Sequence, residues 1–156
     1  CASEAHKRLL LRVGADQVVI PESESGERMA QNLLSSGFVD FMELSGLLDD
    51  RYKIVLIGLT QEQIAALPEA ILGLPRTNSM EELVQAYTEA DIFLNPSAEE
   101  TFGMTAMEAR CCGTEAIVYQ DTACEEIVKQ FGGIAVPKGA EHLYAAVKKL
   151  TEEEEK

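Results

Sequence analysis

Asn95-Pro96-Ser97-Ala98-Glu99-Glu100-Thr101-Phe102-Gly103-Met104-Thr105-Ala106-Met107-Glu108-Ala109-Arg110-Cys111-Cys112-Gly113-Thr114 follows an apolar, strand-like run and sets Glu100 and Glu108 with seven residues between them. If Phe102 to Thr105 is the turn opening a helix, Glu100 sits on the preceding loop and Glu108 one turn inside. Both carboxylates can then face a ligand whose phosphates meet the helix start, where backbone N–H groups lack intrahelical partners and bind anions. The plainer reading is that two acidic side chains near a helix N-terminus merely favour its dipole.

Outward from this strand–turn–helix unit, short apolar runs alternate with helical patterns. Strands are predicted near Val18–Ile20, Ile54–Ile57, Ile71–Leu74, Ile92–Leu94, Ala116–Tyr119 and Ile134–Val136. Helices are predicted near Ser3–Val13, Gly26–Leu34, Asp40–Leu48, Gln61–Leu67, Met80–Ala90, Thr105–Cys111, Cys124–Gln130 and Glu141–Leu150. Such alternation implies an α/β fold, a three-layer parallel sheet with helices on both faces. Ser79 followed by Glu82 has the spacing of a capping box. Ser35-Ser36-Gly37 reads as a short turn, with no linker or repeat elsewhere.

The 156 residues suit a single domain, 1–156, with a sizeable core. A net charge of -14, from 27 acidic against 13 basic residues, disfavours nucleic acid or an anionic membrane as partner, because both require cationic neutralisation. Cys1, Cys111, Cys112 and Cys124 have no Cys-x-x-Cys spacing and lie far in sequence from His6 and His142, so no metal site is expected. Cys124 at a helix start invites a lowered thiol pKa, but no histidine constellation accompanies it, and a structural cysteine is the favoured reading. No apolar run reaches the ~20 residues of a membrane span and no signal-peptide pattern opens the chain, so a soluble, cytoplasmic protein is expected.

The Glu100/Glu108 pair followed by Glu108-Ala109-Arg110-Cys111-Cys112-Gly113-Thr114 resembles the Glu-x7-Glu element of retaining nucleotide-sugar glycosyltransferases of family 4. The resemblance extends through Tyr52–Gly58, Arg76-Thr77-Asn78-Ser79, Glu82-Leu83, Tyr87, Ala90–Pro96 and Gly132–Pro137, in the order of that family's C-terminal, donor-binding domain, over roughly residues 40–150. It implies a Rossmann-like domain of the GT-B type. It also implies that Glu100 contacts the donor sugar and Glu108 the ribose hydroxyls, with backbone amides of Phe102, Gly103, Met104 and Thr105 approaching sugar and diphosphate. Gly103 suits close backbone approach because it lacks Cβ. The implied ligand is a nucleoside diphosphate or nucleotide sugar, without a metal or other cofactor. A complete transferase needs a second domain, so no catalytic residue is expected to act in this chain alone.

Residues 1–38 resemble a different family. Ala5–Leu10, Val13–Glu22 and Gly26–Leu34 are similar to the distal part of the Rossmann-like domain that regulates potassium channels and transporters (the TrkA-N-like regulator of potassium conductance). The chain thus looks like one sheet assembled from two families, with the Val18-Val19-Ile20 strand beside strands of the second fragment. A recombined or engineered origin is the simplest account, and an unusual natural fusion the alternative. From the potassium-regulator side a residual homodimer surface is an alternative to a helix packed on the sheet.

Where the transferase family supplies an Arg and a Lys for the diphosphate, this chain has Glu22-Ser23-Glu24-Ser25-Gly26-Glu27-Arg28. Three carboxylates oppose an anion there. Arg28 and Arg76 remain as contacts for phosphate or base, each weighed against an exposed arginine or a helix ion pair. Glu115 stands where the family has proline, and with Glu125 it is expected to make the pocket still more acidic. Two rival functions follow: a ligand-free scaffold, which the acidic loop favours, and a regulatory nucleotide-binding module, disfavoured because no Gly-x-Gly-x-x-Gly follows a strand.

Overall fold

A computed structural model describes residues 16–21, 36–97 and 103–154, with residues 16–21, 36–38, 153 and 154 described by their backbone alone. Six strands form one sheet: β1 (Asp16–Pro21), β2 (Tyr52–Ile57), β3 (Ile71–Leu74), β4 (Ile92–Asn95), β5 (Glu115–Tyr119) and β6 (Ile134–Val136). Among the described residues six helices accompany them: α1 (Ser36–Leu47), α2 (Gln61–Ala66), α3 (Met80–Glu89), α4 (Met104–Cys111), α5 (Ala123–Phe131) and α6 (Ala140–Glu154). The expected helices Ser3–Val13 and Gly26–Leu34 lie outside the described residues, as do Arg28, Glu100 and Phe102.

The strands are near-continuous apolar runs because both faces of the sheet are covered. Every residue of β4 is buried, and β2 exposes only Lys53. Alternate side chains serve opposite faces. Ile54, Leu56, Ile92, Leu94, Ile117 and Tyr119 pack toward α1, α2 and α6. Val55, Ile57, Phe93, Ala116 and Val118 pack toward α3, α4 and α5. The strand order is β3-β2-β1-β4-β5-β6 and all pairings are parallel.

β1 occupies the middle of this order. Val18 is in register with Ile54 of β2 on one side and with Ile92 of β4 on the other. One parallel sheet therefore runs from Asp16 to Val136, with the Val18-Val19-Ile20 strand between strands of the later sequence. The expected turn at Ser35-Ser36-Gly37 requires correction, because Ser36 and Gly37 open α1. The helix face carrying Phe41 and Leu44, exposed by only 2% and 0%, is pinned to the sheet, and this burial outweighs the low helix propensity of serine and glycine.

The capping reading at Ser79 also changes in detail. Ser79 accepts from the Glu82 N–H at 3.2 Å, but Glu82 reaches past the cap to accept from the Asn78 N–H at 2.8 Å. The reciprocal box forms instead at Thr60 and Gln63. Among the described residues no helix is long and apolar enough to cross a membrane.

Tyr119, at the end of β5, is fully buried and donates its hydroxyl to Asp40 Oδ2 on α1 at 2.6 Å. Burial, reinforced by that hydrogen bond, holds its phenol well above the ordinary tyrosine range. A raised folded-state pKa means that the neutral phenol contributes stability below pH ~10, which is lost as pH climbs above it. Tyr119→Phe is expected to lower the unfolding free energy by about 1.5–3 kcal/mol at neutral pH, with an unchanged urea m-value, since a hydrogen bond to a charged group is removed. The same substitution should blunt the loss of stability between roughly pH 10 and 12. A variant as stable as the parent at neutral pH would rule out the Tyr119–Asp40 bond as a tie between sheet and helix.

Candidate functional site at the sheet switch point

Strand order runs outward in opposite senses from β1 and β4, which creates a crevice outside their carboxyl ends, the usual ligand position in open α/β sheets. Two chain segments leave the sheet at this crevice, one after Pro21 and one after Asn95. The second leads into α4, so the sequence stretch that carries Glu108 is delivered there by topology.

Asn95 prepares that exit. It is 8% exposed, its Oδ1 accepts from the Ser97 N–H at 3.1 Å, and its Nδ2 donates to Thr105 Oγ1 at 3.3 Å and to Cys124 Sγ at 3.5 Å. The first bond is the local turn that an Asn before Pro-Ser favours. The others tie the strand end to α4 and α5. Thr105 is thus partly a structural residue, its hydroxyl engaged by Asn95. Cys124 is fully buried, in line with a structural role.

Gly103 is the N-cap of α4, in the left-handed region at φ 61°. A Cβ there would lie 3.0 Å from Cys124 Cα and 3.1 Å from both Cys124 Sγ and Ile127 Cγ1. The close approach that demands glycine is therefore made by α5. The Gly103 carbonyl accepts from Ala106 and Met107, and among the described residues no side chain caps the first turn. Met104, half exposed, stands at the helix start.

Glu108 lies four residues into α4, about 6 Å along the axis from Met104. Helical side chains lean toward the N-terminus, so its carboxylate tilts back to the crevice end. Its Oε2 accepts from the Tyr87 hydroxyl at 3.1 Å. Tyr87 is 1% exposed and meets Phe93 edge to face, with ring centroids 5.7 Å apart. Burial, then the neighbouring Glu108 charge, raises the Tyr87 phenol far above its usual range, so it remains a donor.

The far end of α4 is fastened as well. Thr114 N–H bonds to Ala109 O and Gly113 N–H to Arg110 O, a Schellman turn that uses Gly113 at φ 91°. Buried Thr114 donates its hydroxyl to the Tyr87 carbonyl. The Cys-Gly-Thr part of the motif thus locks helix to helix.

Two expected contributions to the site change. Glu115 begins β5, at the amino ends of the strands and away from the crevice, and pairs with Arg110 Nη1 at 2.6 Å, so it adds no charge there. Glu125 does sit at the crevice edge, but it pairs with Lys129 at 2.9 Å and accepts from the Asp121 N–H, which together hold its carboxyl below the usual range. Arg76 is exposed beyond β3. Three strand spacings, roughly 14 Å, separate β3, which Arg76 follows, from β4. Among the described residues no group of three or more His, Cys, Asp or Glu side chains could hold a metal ion.

The description "Glycosyl transferases group 1" is that of the family model matching residues 37–156. Over 131 residues, 81% of this chain and 35% of the relative, the sequence is 27% identical to the N,N'-diacetylbacillosaminyl-diphospho-undecaprenol alpha-1,3-N-acetylgalactosaminyltransferase of Campylobacter jejuni. The chain spans about a third of that relative's length. A stretch of 43 residues, 28% of the chain, is 37% identical to the Ktr system potassium uptake protein C of Bacillus subtilis and covers 20% of it. Among solved structures, HepE of Anabaena in complex with UDP and glucose is similar at a TM-score of 0.69 and 19% identity, over 99% of this chain and 44% of that one. That likeness concerns the fold.

Gly103→Ala tests the packing account of the turn. A left-handed non-glycine residue costs roughly 1–2 kcal/mol, and the Cβ contact with the α5 backbone adds to it. The urea midpoint should fall accordingly. A variant with unchanged stability would show that α4 starts farther from Cys124 than 3.0 Å allows.

Proposed function

Because this chain belongs to the group 1 glycosyl transferases, we propose that it is the nucleotide-sugar (donor) side of a retaining sugar transfer and is inactive as a transferase by itself. The observation that carries this reading is Glu108, held by Tyr87 beside the first turn of α4 at the crevice where the strand order reverses. Glu108 would accept from the ribose hydroxyls, and the α4 start, with Gly103, Met104 and Thr105, would meet the diphosphate. Glu100 and Phe102 keep the sugar-side roles that the sequence motif suggests. In this scheme transfer takes a sugar from a nucleoside diphosphate to an acceptor hydroxyl in a cleft between two domains.

Binding is proposed to be weak. A helix start offers a fraction of a charge, about 0.3–1 kcal/mol where exposed, while Glu22, Glu24 and Glu27 follow β1 where cations would serve a diphosphate. The same acidity is the observation favouring the rival, a ligand-free scaffold. The match to the potassium uptake protein supports a recombined origin, while self-association through residues 1–38 rests on the sequence resemblance of that segment alone.

Titration of the protein with a uridine and a guanosine diphosphate sugar, followed by heteronuclear NMR, tests the proposal. Weak saturable shifts at residues 103–108, lost in Glu108→Ala, are the expected result. Ser23→Arg with Glu24→Lys should tighten binding, most at low salt, because the gain is electrostatic. No binding before or after that charge reversal, with Glu108→Ala equally silent, would replace the donor-side reading by the scaffold. Turnover onto an acceptor by this chain alone, lost in Glu100→Gln, would overturn the inactivity.

A further inference from the structure

Tyr87 and Glu108 lie on neighbouring helices and are separated by 21 residues of sequence, yet the tyrosine hydroxyl ends on the motif carboxylate. A buried tyrosine needs a hydrogen-bond partner, and a backbone carbonyl would have met that need. Here the partner is a half-buried acidic side chain on the helix that starts at the crevice. Tyr87 itself is immobilised from two directions. Its ring is held edge-on by Phe93, and its carbonyl receives the Thr114 hydroxyl from beyond the other end of α4.

We propose that Tyr87 is the positioning residue for Glu108, presenting the carboxylate in one orientation for a vicinal diol of the nucleotide ribose. This rests on the donor-side reading above. A glutamate is a long side chain that loses rotamer freedom when it is fixed, and fixing it before the ligand arrives removes that cost from binding. The arithmetic of acceptors permits it. An ionised carboxylate accepts about four hydrogen bonds, so the Tyr87 hydroxyl leaves capacity for two ribose hydroxyls. The geometry also orders the roles within the motif: Glu108 touches ligand, Tyr87 fixes Glu108, and Thr114 fixes Tyr87. Specificity for a ribose over a sugar lacking the diol would then depend on a residue that never meets the nucleotide.

The test measures affinities of UDP and GDP, each beside its 2′,3′-dideoxy counterpart, for the parent protein, Tyr87→Phe, Glu108→Gln and the double variant. Tyr87→Phe keeps the ring against Phe93 and removes only the hydroxyl. It should reduce the ribo-to-dideoxy preference about threefold to tenfold, the range that one ordinary hydrogen bond supports, while the dideoxy affinity stays unchanged. On the Glu108→Gln background the tyrosine substitution should add nothing, because the group it orients no longer acts. An unchanged preference in Tyr87→Phe, alongside its collapse in Glu108→Gln, would overturn the positioning role and leave the donor-side reading standing. An equal fall in ribo and dideoxy affinity would make Tyr87 a purely structural residue. A parent protein without any ribo preference would remove the role of Glu108 and that of Tyr87 with it.

Discussion

The pairing of β1 with strands on both of its edges is the constraint on which the rest of the structure depends. Withdrawing Asp16–Pro21 would leave β2-β3 and β4-β5-β6 as separate ribbons, each with an unpaired edge and half a hydrophobic face. The switch-point crevice exists only because β1 and β4 are neighbours with connections leaving in opposite senses. Residues 16–21, which precede the matched family region, therefore contribute something the rest cannot replace, a strand whose N–H and C=O groups satisfy both halves of the sheet.

Most of this architecture was legible in the sequence because a parallel sheet covered on both faces leaves a simple trace. Runs such as Ile54–Ile57 and Ala116–Tyr119 are apolar throughout, and the intervening segments carry helical periodicity, so element type and order follow. The start of α1 was not legible. Ser36-Gly37 has turn chemistry, and only the contacts of Phe41 and Leu44 with the sheet make it helical.

The spacing of the motif singled out Glu108, but its partner was out of reach of any local pattern. Tyr87 stood in the resemblance without a role, since its hydrogen bond joins two helices. The same holds for Gly103, whose missing Cβ is explained by α5, and for Glu115, whose charge is met by Arg110 at the amino end of β5. Asn95 carried a signal that could have been used, an Asn before Pro-Ser at a strand end, which favours a side-chain turn. Charge was legible in total and not in distribution. Ion pairs such as Glu125 with Lys129 neutralise individual acids without contributing much stability, so the surplus behind the net charge of -14 is a matter of field more than of fold.

The Schellman turn at Gly113 and Thr114 joins the far end of α4 to the same tyrosine that meets Glu108. Arg110 adds bonds to Thr114 O, Glu115 and Phe131 O, so the C-terminal end of α4 is fastened as firmly as its start, where Asn95 holds Thr105. A change at the Gly113–Thr114 turn is therefore felt at the Glu108–Tyr87 hydrogen bond, because Thr114 and Glu108 grip one side chain and its own backbone from two sides.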